Sequence, residues 1–238
     1  MKTVSRRRQR GFTLVEILVA VTIMGLISAV MMRSFLQVLN IYFYDTAKIQ
    51  INHDIRTFTA SMSENATYAN YFKIFPSYNN LSRTSPTLVN PSDPDQGYTT
   101  AMTDTSINDG QSGDCLVLVY KDAGDATHAA DDTKISRLII YFRSPDPVTL
   151  IGPVRILDLA VTPSSSLPVF QLIPDITDPT IYPIVVQLSQ DVATGKLFYN
   201  YHDRAIIVKG NILQRGGQTN SIHATATDTY NFTVSPRG

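Results

Sequence analysis

The 238 residues contain a single cysteine, Cys115, so no disulfide can form within the chain. Any part that faces an oxidising space must then hold together by core packing or by a bound ion. The cysteine sits in Cys115-Leu116-Val117-Leu118-Val119-Tyr120, an apolar, β-branched run that predicts a buried strand. There a cysteine behaves as a small apolar residue rather than a nucleophile. Histidine is nearly as scarce: His53, His128, His202 and His223 are scattered, with no paired spacing of the kind a metal site needs. The stretch Gly110-Gln111-Ser112-Gly113-Asp114 approaches the Gly-x-Ser-x-Gly nucleophile turn, but Asp114 takes the place of the last glycine. A turn leading into the strand at Cys115 is the simpler reading. No glycine-rich phosphate loop is present. The expectation is therefore a protein that is not an enzyme, with no catalytic residue, no metal and no cofactor.

Other absences shape the amino-terminal part. No acidic residue precedes Glu16, whereas Lys2, Arg6, Arg7, Arg8 and Arg10 do. No charge of either sign lies between Glu16 and Arg33, and no glycine or proline between Gly25 and Pro76. The apolar run of residues 12–32 is 21 residues long, and as a helix it would extend about 31 Å, enough to cross a hydrocarbon core. Five positive charges on one side, against Arg33 on the other, orient such a span with its start in the cytoplasm and the rest of the chain outside. Glu16 is the anomaly. A charge at the centre of a span costs on the order of 2.5–3.5 kcal/mol, less near the interface, and is usually functional. Cutting the backbone after Gly11 would supply a partner, because the freed α-amino group of Phe12 lies one helical turn from Glu16 and is equally available to Glu16 of a neighbour.

The segment RRRQRG followed by FTLVEILVAVTIMGLISAV resembles the class III signal of type IV pilins and type II secretion pseudopilins. The resemblance covers about the first thirty residues. It implies that a membrane prepilin peptidase cuts between Gly11 and Phe12 and methylates Phe12, and that Glu16 guides subunits into a helical filament. Many major pilins have a proline partway along this helix, near where Arg33 stands here, and a disulfide that this chain cannot form. Both departures favour a minor subunit, most like the PilW kind or minor pseudopilin J. A secretory signal peptide has a shorter apolar core, with only a weak small-residue site here at Ile27-Ser28-Ala29. A plain single-span anchor gives no reason for Glu16.

Subtracting the five basic residues of the leader leaves 15 basic against 20 acidic side chains, a mildly acidic product with a net charge of −5. Broad nucleic-acid binding by counterion release is not expected of it, although Lys196, Arg204, Lys209 and Arg215 could form a local basic stripe.

The uninterrupted stretch before Pro76 keeps a 3.6-residue apolar period through Ile51, Ile55, Phe58, Met62, Ala66 and Ala69, which predicts one helix from about Thr13 to about Phe72. Its apolar outer stripe requires a cover. Residues 76–114 turn to Pro, Ser, Thr, Asn, Asp and Gly, a long exposed connection. Within it Asp93-Pro94-Asp95-Gln96-Gly97 resembles the start of a calcium loop, but the later ligands are out of register and a plain Asp-Pro turn is preferred. Apolar runs at 116–120, 135–142, 154–161, 169–173, 184–188, 197–201, 205–213 and 230–234 predict an antiparallel sheet. The expected architecture is α+β and pilin-like, a long helix whose second half packs on that sheet. It divides into a cleaved leader (1–11), a transmembrane and filament-core helix half (12–33), an outer helix half (34–75), a connecting loop (76–114) and a β head (115–238).

The expected function is that of a minor pilin or pseudopilin. Cut by prepilin peptidase, it passes singly through the inner membrane and joins other pilin subunits through its first helix, initiating or tipping a pilus or pseudopilus. The competing reading is an anchored binding module whose head recognises DNA, a surface or an exported substrate; an anchored enzyme ranks below it.

Overall fold

The computed structural model describes residues 12–78, 104–124, 129–144, 151–174, 181–189, 196–215 and 225–237. It is α+β, as expected. Helix α1 runs unbroken over Leu14–Tyr68. None of residues 12–46 is buried, whereas Ala47, Ile51, Phe58, Met62 and Ala66 are, at spacings that place them on one stripe. The first half of the helix therefore stands free and the second half is part of the domain core. The helix stops at Tyr68, short of the expected Phe72. Ala69 turns extended and the Asn70 amide donates to Val119 O, so tertiary pairing captures the chain at once.

The next residues form strand β1, Tyr71–Phe75, which lies within the expected outer helix half (34–75). Two further strands, β2 (Ser112–Gly113) and β3 (Cys115–Asp122), come from the end of the expected loop and from the Cys115 run. Long strands β4 (Asp131–Arg143) and β5 (Ile151–Ser165) follow. The run at 169–173, expected as a strand, is instead a short helix α2, Val169–Leu172, held between Pro168 and Pro174. Strands β6 (Ile184–Ser189), β7 (Phe198–Tyr201), β8 (Ala205–Arg215) and β9 (Thr225–Val234) complete the chain.

All described pairings are antiparallel, in the order β1-β3-β4-β5-β6-β8-β7-β2, with β9 on the other edge of β8. Successive β-strand side chains point to opposite faces, and in β3 both faces are buried. Leu116 and Leu118 join Ile139, Tyr141 and the stripe of α1 on one side. Cys115, Val117 and Val119 join Leu138, Ile140 and Phe142 on the other, where Val169, Ile173 and Tyr182 form the cover. The prediction of a buried, apolar setting for Cys115 thus holds, and its run is continuous because it faces two layers rather than one.

Phe58 anchors the helix. It is fully buried, with ring centroids 5.9 Å from Tyr141 and 5.8 Å from Phe232 in edge-on contact. Beside it, Tyr141 Oη lies 2.9 Å from Ser61 Oγ and accepts from Asn65 Nδ2 at 2.7 Å. One aromatic side chain thereby joins the helix to the middle of the sheet.

The strand path ends on β2, and a single residue, Asp114, separates β2 from β3 near its start. The sheet thus returns to its own beginning through Asp114. Its amide donates to Pro76 O and its carbonyl accepts from the Arg143 amide. Its carboxylate accepts from Arg143 Nη2 at 2.6 Å, the Leu197 amide at 3.0 Å and Lys196 Nζ at 3.1 Å. Gly113 is required here, because a Cβ at that position would meet Phe75 O at 2.1 Å.

Candidate functional site

The amino-terminal turn of α1 is built by short-range chemistry. Thr13 is extended and caps the helix, its Oγ1 accepting from the Glu16 amide at 3.3 Å. Glu16 reaches back, and its Oε2 accepts from the Thr13 amide at 2.9 Å and from Thr13 Oγ1 at 3.0 Å. This reciprocal capping box satisfies donors that the first helical turn would otherwise leave open, and a carboxylate there also meets the positive end of the helix dipole. The Thr-x-x-Glu spacing announces it, and the sequence reading missed it. Glu16 thus has one role within its own chain that a plain anchor would share. Both of those bonds fall on Oε2, and Oε1 accepts no hydrogen bond among the described residues.

Phe12, next to this turn, is exposed, while Gly11 and the basic leader lie outside the described residues. One helix among the described residues, α1, is long and apolar enough to cross a membrane, and none of its span-length window is buried within the chain. Arg33, the other charge in this half, has no ion-pair or hydrogen-bond partner among the described residues, and Asp45 is the next charge along.

The remaining candidates do not converge. The Asp93 to Gly97 turn, His128 and His223 lie outside the described residues. His53 sits 3.6 Å from Asp54, its neighbour on the outer helix. His202 is in the β7–β8 hairpin, where His202 and Asp203 both have positive φ and the Arg204 amide donates to Tyr201 O, the mirror-image turn that suits strand twist. Asp109 clamps that turn, taking the His202 amide on Oδ1 and lying 3.2 Å from Nδ1 through Oδ2. No group of three or more His, Cys, Asp or Glu side chains gathers into a metal-ligand set among the described residues.

Of the expected basic stripe, Lys196 is held by Asp114 and Lys209 Nζ sits 4.0 Å above the Tyr199 ring. Arg204 is exposed beside Tyr201 and His202, and the Arg215 side chain lies outside the described ones. The sequence Gly110 to Asp114 is a turn and a strand, with Gly110 at φ +77° and Ser112 paired to Tyr199, so no serine is presented as a nucleophile there.

A family model described as the prokaryotic N-terminal methylation motif matches residues 6–32. Comparison with curated proteins and with solved structures returns no match. The matched segment spans the end of the basic leader, Gly11, Phe12, the capped turn with Glu16, and the unburied helix as far as Met32. The chain therefore carries a type IV pilin-type signal. That signal implies processing by prepilin peptidase and assembly with other pilins, and together with the free apolar helix it points to membrane anchoring. It points to a structural subunit.

Proposed function

We propose that this chain is a minor pilin or pseudopilin, inserted once in the inner membrane with its start in the cytoplasm and its head outside. It initiates or tips a pilus or pseudopilus. The observation that carries the reading is the coincidence of the matched signal with a helix half that nothing in its own chain covers. Prepilin peptidase cuts between Gly11 and Phe12, which removes Lys2, Arg6, Arg7, Arg8 and Arg10 and leaves the α-amino group of Phe12, the methylated residue, beside the membrane. Glu16 keeps Oε1 open, and that oxygen takes the terminal amine of a neighbouring subunit once lipid is exchanged for protein. In a low-dielectric surrounding an unpaired carboxylate is costly, so pairing fixes the axial offset between the two helices. The minor role is supported by the single cysteine and by Arg33 within the first helix.

Mass spectrometry of the exported chain tests the cut: the mature protein begins with N-methylated Phe12, and any other start removes the mechanism. Two substitutions separate the acid's roles. Glu16→Ala leaves cleavage intact and impairs incorporation. Glu16→Gln retains an acceptor for the Thr13 amide but not the charge, so normal incorporation of that variant would leave only the helix cap.

A further inference from the structure

Thirty-three residues, 12–44, run from the cut site to the last position before Asp45, and only Glu16 and Arg33 among them are charged. Every other side chain in this half is apolar or neutral, and none is buried by the chain itself. We propose that Arg33 receives the first-turn carboxylate of an adjoining subunit's amino-terminal helix, this chain's own Glu16 included. This rests on the assembly reading above and adds a second contact residue to it.

In the bilayer Arg33 stands at the outer end of the span and can reach lipid phosphates along its flexible stem. When the helix leaves lipid for a packed assembly, that partner is gone and a desolvated guanidinium needs a carboxylate. Asp45 of a neighbour is the poorer choice, because it lies at the foot of the head, two residues before the first buried helix position, Ala47. Glu16 lies deep in the uncharged surface and keeps an open oxygen. A guanidinium, always charged and more weakly hydrated than an ammonium, also suits a site closed to water better than a lysine would.

The geometry has a consequence for assembly. Seventeen residues separate Glu16 and Arg33, so on a straight helix they stand about 25 Å apart along the axis and about 100° apart around it. A subunit cannot present both to one neighbour in register. Its acid faces one neighbour and its guanidinium another, each staggered by about 25 Å, which makes the contact head-to-tail. Such an interface does not close on itself and builds an open helical array. The terminal amine pairs at a stagger of about one helical turn, on a different neighbour, and the two lone pairs of Oε1 accept both donors while Oε2 stays with Thr13.

The test places a photoreactive residue at Gln37, one turn above Arg33 on the same face, in the full-length chain assembling in its native membranes. After irradiation the cross-linked peptide is sequenced, and the mature amino terminus is read from the same sample. The expected peptide comes from a neighbouring subunit's first helical turns and carries its methylated terminus and first-turn acid. Its yield falls at least about tenfold with Arg33→Gln, as loss of a buried pair requires, and is retained with Arg33→Lys. Cross-links only to lipid, to the neighbour's helix at its own Arg33 level or at Asp45, or to its head would overturn the assignment, as would a yield indifferent to Arg33→Gln. A terminus other than Phe12 removes the assembly reading and this one with it. A terminus at Phe12 with the wrong peptide removes this one alone.

Discussion

Truncating Asp114 to alanine should be among the most damaging single changes in the head. The carboxylate and its partner Arg143 are only 4% and 3% exposed at the side chain, and the contact is 2.6 Å. Asp114→Ala strands a buried guanidinium whose Nε already has no hydrogen-bond partner among the described residues, and it removes the acceptor of the Leu197 amide. Breaking one side of a buried pair costs about 3–5 kcal/mol, a large share of the roughly 5–15 kcal/mol that holds a domain folded. Lys196 adds little, because it is 39% exposed and its ion pair is screened. Arg143→Met should cost less, since Asp114 would keep Lys196 and the Leu197 amide. Replacing the pair together, Asp114→Leu with Arg143→Met, should recover much of the loss and leave mainly the unpaired amide, about 1–3 kcal/mol. Urea unfolding of the full chain in detergent, followed by circular dichroism, measures all three. A cost below about 1 kcal/mol for Asp114→Ala, or a double variant as unstable as the sum of the singles, would refute the account of Asp114 as the tie across the sheet's closure.

Phe58→Ala empties the space between Tyr141 and Phe232 and should cost about 3–5 kcal/mol in the same assay, whereas an exposed aromatic such as Tyr44 should tolerate alanine within about 0.5 kcal/mol while the chain is unassembled. Burial pushes the Tyr120 phenol up to about 12 from its ordinary 10.0, partly opposed by the charge of Arg137. The folded state therefore holds that proton longer than the unfolded chain, so the stability it confers is intact below about pH 10 and is lost as pH rises from 10 towards 12. Ultraviolet titration of the phenolates should show a late component that Tyr120→Phe reduces, Tyr71 and Tyr141 being raised by burial as well, and an unchanged titration curve in that variant would contradict the assignment.

The parts of the molecule legible in the sequence are those decided over one or two helical turns. Arginines, glycine, Phe12, Glu16 and an uncharged run announce the signal because a bilayer selects on composition. Ile51, Phe58, Met62 and Ala66 announce the outer stripe because a helix repeats every 3.6 residues. Short apolar runs are different. Val169-Phe170-Gln171-Leu172-Ile173 suits a strand by composition and is a turn of helix in the fold, since flanking prolines and a seat against Phe142 and its neighbours override a weak local preference. Tyr71 and Phe72, expected at the end of the helix, instead open a strand, because the edge of β3 offers five residues a full ladder. At the site, Thr13 and Glu16 could have been read together as a capping box, and only attention to charge hid it.

From its order of residues alone this protein has a pilin-type signal, an apolar stretch long enough to cross a membrane, an acid within that stretch and a long helix with one apolar stripe. Each depends on neighbours in the chain, so each survives without knowing the fold. Where Asp114, Arg143 and Lys196 meet, which face of β3 the helix covers and how the sheet comes back to its own first strand depend on residues far apart in the chain, Asp114 and Leu197 by 83 positions and Ser112 and Tyr199 by 87. Those contacts are set by closing the core and pairing its buried polar groups, a condition on the whole packed chain that no local stretch can express.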